Sequence, residues 1–214
     1  MQLSLEDIRR ALALKNFDVQ AAHSKMMPVP RKTQRPPDMP GRVRLGGVLV
    51  LLYCQEDQLH LALTKRRDDL QSHAGQVSFP GGRHEPPESL SETALRETHE
   101  EVGVTPSSLT LIGKLTPLYI FPSDFEVHPF VAWHANGARP CFTPNSHEVA
   151  QIIETPLARF FDPAVRVEEM WTIRGYRLQV PFFDIQGHKV WGATAMMLSE
   201  FLERLRAVQD TAAR

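Results

Sequence analysis

The order of the helix-like and strand-like segments predicts that this chain folds as an α+β domain. Strand-like runs follow one another in groups, and helices are inserted between those groups. The strict alternation of strand and helix that is typical of a doubly wound parallel sheet is missing from the pattern. The 214 residues, 42% of them hydrophobic, are enough for one domain with a sizeable core.

The first 40 residues differ in character from the rest and are expected to form an appendage. Residues 4–14 carry apolar side chains at helical spacing, with Ser4 as N-cap and Asp7 three residues later, so we predict a short amphipathic helix that packs onto the domain. Five prolines between Pro28 and Pro40 favour an extended, solvated connector. We therefore divide the chain into a helix and a proline-rich basic connector, 1–40, and a domain, 41–210.

Within the domain, apolar and β-branched runs predict strands, and apolar residues at helical spacing predict helices. Polar turns join the first two and the last two predicted strands, and a glycine-bearing loop is expected at 66–82. The predicted strands are 43–53, 59–64, 109–120, 125–134, 149–154, 165–173, 176–183 and 188–191, and the predicted helices are 89–102 and 192–208.

The composition excludes several classes of protein. Lys+Arg 24 against Asp+Glu 25 leaves a formal charge of −1, and the basic segment 25–44 has no interleaved aromatic residues, so nucleic-acid binding is disfavoured. Cys54 and Cys141 are too few for a disulfide framework or a thiolate zinc site. The apolar run 45–54 is shorter than the ~20 residues of a membrane-spanning helix. Because the N-terminus also lacks the apolar core of a secretory signal, we expect a cytoplasmic protein.

The acidic residues are concentrated on the predicted helix 89–102. Glu97 and Glu101 are one helical turn apart and Glu100 is three residues from Glu97, so three carboxylates lie close together. A hard divalent cation such as Mg²⁺ or Mn²⁺ would make this crowding useful, whereas a solvated acidic helix face is the simpler alternative. Arg96 is four residues from Glu100 and is placed to hold it.

The acidic segment resembles the signature of the Nudix hydrolase superfamily, G-x5-E-x7-R-E-x-x-E-E-x-G-V, with Thr98 standing where that superfamily usually has an aliphatic residue. The resemblance implies an α/β/α sandwich with a mixed sheet and hydrolysis of a nucleoside diphosphate linked to another moiety. It also implies that Glu97 and Glu101, with Glu100, ligate Mg²⁺ or Mn²⁺; Glu100 is either a third ligand or the catalytic base. The positions that match are Gly82, Glu88, Arg96, Glu97, Glu100, Glu101 and Gly103, of which Glu88, Arg96 and Gly103 are expected to be structural.

The residues just upstream, 63–82, resemble the additional motif of coenzyme A pyrophosphatases, L-T-x-R-x(n)-H-x-G-x-V-x-F-P-G-G. Arg67 stands where that family commonly has serine, and Gln71 where it commonly has arginine. The resemblance implies hydrolysis of coenzyme A to 3′,5′-ADP and 4′-phosphopantetheine. Glu148 is either a distal base or a carboxylate at a strand edge, and His73 either contacts substrate or braces the loop. The candidate substrate-binding residues are Lys65, Arg66, Arg67, His73, Gly81 and Gly82.

Two other functions remain open at this stage. A Nudix enzyme with this motif could act on ADP-ribose, a dinucleotide or a nucleoside triphosphate, because Arg67 and Gln71 alter the coenzyme A motif. A Nudix module that senses a nucleotide without cleaving it is the second alternative. In every case we expect a small-molecule substrate, and related enzymes lead us to expect a homodimer.

Overall fold

The helices and the longer strands of the domain lie close to where the sequence pattern predicts them, whereas two short strands lie in the predicted loop 66–82. The computed structural model describes residues 3–30, 34–173 and 175–212. The helices are α1 (Leu5–Leu12), α2 (Val19–Ser24), α3 (Leu90–Val102) and α4 (Gly192–Ala212). The strands are β1 (Arg44–Gln55), β2 (Gln58–Arg66), β3 (Val77–Ser78), β4 (Gly81–Arg83), β5 (Leu109–Lys114), β6 (Leu118–Ile120), β7 (Phe125–His134), β8 (Val149–Pro156), β9 (Arg166–Ile173), β10 (Tyr176–Ile185) and β11 (His188–Trp191). Short 3-10 turns lie at Pro106–Ser108, Phe121–Ser123, Ala135–Gly137, Leu157–Phe161 and Pro163–Val165.

The alternation of side chains along β1 divides the core into two layers. Leu49 and Leu51 pack with Ala94 and Val102 of α3 on one face of the sheet. Val50 and Leu52 point to the opposite face and belong to the larger cluster, which includes side chains of α1 and α4. The sheet is therefore covered by helices on both faces, and the predicted α+β class with an α/β/α sandwich is confirmed.

The strands form two sheets. In the larger one, β1 lies at the centre between β2, antiparallel to it, and β7, parallel to it, so the sheet is mixed. β4 also pairs with β1, through Gly47 opposite Gly82, and this pairing brings the end of the 66–82 loop against the start of β1. The smaller sheet has the order β11-β10-β9 and is antiparallel.

The N-terminal segment is packed onto the domain more extensively than the sequence predicts. The predicted helix is α1, and its Ser4–Asp7 capping box is confirmed. A second helix, α2, follows with Asp18 as its cap; it is only six residues long, too short to show a helical period. Both helices pack against α4.

The described parts of the connector are largely exposed, as expected, but they are bound to the domain at two points. Val29 exchanges two backbone hydrogen bonds with Gln179 of β10. The Arg35 guanidinium donates to both carboxylate oxygens of Asp124, at 2.8 and 3.2 Å, and also to the carbonyls of Met39 and Pro40. The basic residues of the connector at 31–32 lie outside the described residues.

The predicted strand 109–120 is divided in two. β5 ends at Lys114 and β6 begins at Leu118, with Pro117 between them. Proline has no N–H group for a sheet hydrogen bond, and the backbone N–H of Thr116 is bound by the carboxylate of Glu200 instead.

Cys54 and Cys141 are free thiols, as the sequence suggests. None of the helices in the described ranges has the length and apolar character needed to cross a membrane.

Candidate active site

The acidic helix α3 has the ends that its sequence predicts. Ser89 Oγ accepts a hydrogen bond from the N–H of Glu92, and the Glu92 carboxylate accepts one from the N–H of Ser89. The helix ends at Gly103, whose φ of +76° is easily reached only by glycine. These caps fix which turn of the helix carries Glu97 and Glu101.

Arg96 connects the carboxylates around this helix. Its guanidinium makes a bidentate pair with Glu88, at 2.9 and 3.0 Å, and the hydrogen bonds from Arg96 are the main reason that the pKa of Glu88 is lowered to about 2. The Nη1 group of Arg96 also donates to Glu97 at 3.0 Å and to Glu100 at 3.1 Å. Arg96 thus holds Glu100, as predicted, and positions Glu97 at the same time.

Glu97 rests against the backbone of β4. A Cβ atom built on Gly82 would lie 2.4 Å from the carboxylate carbon of Glu97, so no larger residue fits at Gly82 while Glu97 keeps this position. Burial raises the pKa of Glu97, and the charges of Glu100 and Glu148 raise it further, against the opposing effect of Arg96. Glu97 is therefore a crowded, mostly buried carboxylate that faces other acids.

Glu101 is the most deeply buried carboxylate of the cluster. One carboxylate oxygen, Oε2, is buried with no hydrogen-bond partner in the described part of the chain. Burial is the main cause that raises the pKa of Glu101 to about 8, and the charge of Glu97 adds to it, while a hydrogen bond from the Gly81 N–H opposes the rise. The sequence offered no sign of this bond from Gly81, because it depends on how β4 packs against α3.

The donor chemistry of this cluster fits a hard divalent cation. Glu97, Glu100 and Glu101 offer carboxylate oxygens within little more than one helical turn, and the unpaired oxygen of Glu101 lacks the partner that a cation would supply. Among the residues described, no three potential ligands are grouped closely enough to hold a metal as they stand. Arg96 contacts one carboxylate oxygen of Glu97 and one of Glu100.

The end of β2 and the residue that follows it carry the three cations predicted to bind substrate, and all three have partners. Arg66 donates to Glu148 at 3.1 Å and to the Ser72 carbonyl at 3.1 Å. Arg67 is bidentate to Asp69, and Lys65 lies 3.0 Å from Asp68. Of the three, Arg66 acts on the acidic cluster, since its charge lowers the pKa of Glu101.

Glu148 belongs to the same cluster although it is distant in sequence. Its charge raises the pKa of Glu97 and of Glu101, and its carboxylate accepts from Arg66. The backbone around it, from 143 to 145, bonds to the carbonyls of Val102 and Glu101 at the end of α3. The structure thus brings Glu148 to the site, whereas its role as a base stays a prediction.

His73 lies outside the acidic cluster, in the loop. It adopts a left-handed backbone conformation with φ of +57°, and its Nδ1 atom is 2.8 Å from the side-chain oxygen of Gln76. This geometry favours the bracing role over direct contact with substrate.

Comparison with known proteins places this arrangement in a family. A model of the NUDIX domain matches residues 43–172, which include the whole acidic helix and the loop before it. The chain belongs to the Nudix family. A protein of Pectobacterium atrosepticum named as an uncharacterized Nudix hydrolase NudL is 38% identical over 162 residues, which cover 73% of this chain and 80% of that protein. A probable nudix hydrolase of Schizosaccharomyces pombe is 32% identical over 164 residues, covering 76% of this chain and 56% of the yeast protein.

Solved structures of Nudix proteins share the fold. The Nudix hydrolase RenU of M. smegmatis superposes with a TM-score of 0.53 at 15% identity, over 80% of this chain and 89% of RenU. The NUDIX domain of Shewanella oneidensis NrtR, solved with ADP ribose, gives a TM-score of 0.50 at 16% identity, over 80% and 94% of the two chains. The protein is thus a Nudix hydrolase, an enzyme that cleaves a phosphoric anhydride, and such enzymes generally use divalent cations such as Mg²⁺ or Mn²⁺.

Proposed function

We propose that this Nudix hydrolase cleaves the diphosphate bond of coenzyme A, or of a CoA derivative, to 3′,5′-ADP and 4′-phosphopantetheine or its acyl form. The observation that supports this substrate is the direct connection between the CoA-type loop and the acidic helix. The last two residues of the loop, Gly81 and Gly82, contact Glu101 and Glu97 respectively. A phosphate held by the loop would therefore lie next to the carboxylates.

Glu97 and Glu101 are the proposed metal ligands, and Glu100 is a third ligand or the base. A bound Mg²⁺ or Mn²⁺ would neutralise charge on the phosphate oxygens and lower the pKa of a nucleophilic water. Because Gly82 has no side chain, the Glu97 carboxylate can lie against β4. The carbonyl of Gly82 is a further candidate ligand.

The chain's own groups orient the substrate and accept the proton. Arg66 is the proposed phosphate-binding residue, because its guanidinium contacts Glu148 and its charge acts on Glu101. A guanidinium can offer paired N–H donors to a phosphate once it exchanges its present partners. Water attacks phosphorus, the bond from phosphorus to the bridging oxygen breaks, and the water proton passes to a carboxylate. Glu148 and Glu100 are the two candidates for that acceptor, and both side chains are about half exposed.

A substrate panel tests the proposal. Purified protein with Mg²⁺ or Mn²⁺ should release 3′,5′-ADP from coenzyme A, and chelation with EDTA should stop the reaction. Glu97→Gln and Glu101→Gln should each lower kcat by roughly 100-fold or more, since each removes a charged ligand. Glu92→Gln is the matched control on the same helix, because glutamine can replace glutamate in the capping box.

The panel also separates the alternatives. ADP-ribose, a dinucleotide and a nucleoside triphosphate are included because Arg67 is occupied by Asp69 and Gln71 is uncharged, which weakens the CoA motif. Turnover of one of these and not of coenzyme A would overturn the substrate assignment. Nucleotide binding without turnover of any substrate would indicate a sensing module. Such a module does not explain why one oxygen of Glu101 is buried without a hydrogen-bond partner in the described part of the chain.

A further inference from the structure

Each lysine and arginine of the CoA-type segment 63–82 pairs with a carboxylate, so none is left unpaired for a second phosphate. Lys65, Arg66 and Arg67 pair with Asp68, Glu148 and Asp69. Coenzyme A differs from dephospho-CoA by a 3′-phosphate, which carries between one and two negative charges at neutral pH and is best bound by guanidinium groups. If the enzyme distinguishes the two molecules, the cation responsible must come from elsewhere.

Arg83 is an unpaired guanidinium next to the acidic cluster. It follows Gly82 directly on β4, and its carbonyl accepts a hydrogen bond from Arg96 at 3.1 Å, which fixes the backbone at this point. The Arg83 side chain is exposed and makes no hydrogen bond or ion pair with any residue of 3–30, 34–173 or 175–212. Its donors are therefore available to a ligand.

The direction of the Arg83 side chain separates it from the scissile diphosphate. Successive residues of a strand point to opposite faces of the sheet. A side chain at Gly82 would meet Glu97, so that position faces α3 and Arg83 faces the other way. Arg83 therefore suits a phosphate other than the one held at Glu97 and Glu101. Of the strands described, β4 pairs with β1 alone.

Arg44 lies on the same face as Arg83. Gly46 is opposite Arg83 in the β1–β4 pairing, and Arg44 is two residues before Gly46, so Arg44 and Arg83 are diagonal neighbours, about 7–8 Å apart between their backbones. The Arg44 guanidinium stacks 4.7 Å from the centre of the Phe125 ring and donates to the Ser123 carbonyl. No ion pair within the described residues neutralises either arginine. Arg44 and Arg83 thus lie on the same face of the β1–β4 pair next to Gly46, which has no side chain.

We propose that Arg83, assisted by Arg44, binds the 3′-phosphate of the substrate and sets the preference for coenzyme A over dephospho-CoA. This inference rests on the proposed CoA diphosphatase function. Arg83 is here a specificity-determining residue and takes no part in bond cleavage.

Binding and turnover together test the inference. We expect the wild-type protein to bind 3′,5′-ADP more tightly than 5′-AMP by calorimetry, and Arg83→Ala to reduce that ratio by roughly tenfold or more, the effect of losing a charge-assisted hydrogen bond. The same variant should lower kcat/KM for coenzyme A by a similar factor and leave that for dephospho-CoA within about threefold. Arg83→Lys should retain part of the preference, because it keeps the charge without the paired donors.

Arg177→Ala is the matched control. Arg177 is also an exposed arginine without an ion pair in the described part of the chain, and it lies on β10, in the smaller sheet. It should leave both ratios unchanged. Circular dichroism and the melting temperature of each variant check that the fold is retained.

The possible outcomes distinguish a failure of the role of Arg83 from a failure of the proposed CoA diphosphatase function. An equal loss of affinity for 3′,5′-ADP and 5′-AMP in Arg83→Ala, no loss for either, or a wild-type protein without any preference would each overturn the role of Arg83. Failure of the wild-type protein to cleave either CoA substrate would overturn the proposed function, and the binding ratios would still decide whether Arg83 recognises the additional phosphate.

Discussion

The carboxylate oxygen Oε2 of Glu101 is buried and has no hydrogen-bond partner in the described part of the chain. A buried polar atom without a partner costs stability, and a bound cation would remove that cost. We predict that Mg²⁺ raises the melting temperature of the wild-type protein, by linkage worth about 2.7 kcal/mol at a concentration 100 times the Kd. Glu101→Gln should lose this shift and Glu92→Gln should keep it. An equal shift in Glu101→Gln would show that the metal binds elsewhere.

Gly82 allows a second test at the level of one residue. A methyl group there would displace the Glu97 carboxylate, because the Cβ atom would lie 2.4 Å from its carbon. We predict that Gly82→Ala folds but loses roughly tenfold or more of kcat with any substrate that the wild type accepts, as expected for misplacing a catalytic group. Gly113→Ala is the control, since its Cβ would also crowd a side chain, that of Leu12, but far from the acidic helix. Activity retained in Gly82→Ala would exclude the observed position of Glu97 from the active form.

The helix α3 shows how one element holds the site together. Its C-terminal end is bound by the segment 143–145, which also places Glu148 next to Glu97 and Glu101. Gly103 is essential to that junction for two reasons, its left-handed backbone and the closeness of Thr143. A Cβ atom on Gly103 would lie 1.7 Å from the Thr143 hydroxyl.

We predict that Gly103→Ala lowers the free energy of unfolding by about 2–4 kcal/mol, combining the left-handed strain with the clash. Gly175→Ala separates the two causes. Gly175 has a similar φ of +80°, but among the described residues other than its chain neighbours no atom lies within 4 Å of its missing Cβ, so only the strain of about 1 kcal/mol should remain. Urea unfolding measures both values, and equal losses would mean that Thr143 moves aside at no cost.

For the whole molecule, the N-terminal segment is joined to α4 by a buried ionic network. Glu200 is fully buried, and its carboxylate accepts from His23 of α2, from Arg204 and from Thr116 between β5 and β6. Burial alone would raise the pKa of Glu200, but these hydrogen bonds outweigh it and leave the pKa below its ordinary value. One carboxylate thus connects three parts of the chain that are far apart in sequence.

This network predicts a pH-dependent stability. Because the folded-state pKa of Glu200 lies below the unfolded value of about 4.3, its contribution is present above that pH and is lost as the pH falls through the folded pKa. Glu200→Gln should destabilise the protein by about 3 kcal/mol at pH 7 and by clearly less at pH 3. Glu203→Gln breaks only ion pairs with the more exposed Lys25 and Arg206 and should cost less than about 1 kcal/mol. A loss in Glu200→Gln that is independent of pH would contradict the ionic role.

Local patterns in the sequence predicted most of the elements and the acidic cluster itself. Runs of apolar and β-branched residues located β7 and β11, and the Ser89–Glu92 pair with Gly103 located α3, because these signals depend only on neighbouring residues. The close spacing of Glu97, Glu100 and Glu101 follows from the geometry of any helix. The sequence also left two uses for His73 open, and the bond to Gln76 favours one of them.

Contacts between distant segments were decided only in three dimensions. The partner of the Thr116 N–H between β5 and β6 is Glu200, the connector is held by Asp124, and the inclusion of Glu148 depends on the loop at the end of α3. Which cations are available to bind a ligand was also decided only in three dimensions. Ion pairs with carboxylates occupy Lys65, Arg66 and Arg67, whereas Arg83 has no ion pair among the described residues. Residue type and spacing determine which groups can bind a metal or a phosphate, whereas burial and pairing depend on which strands and loops pack together.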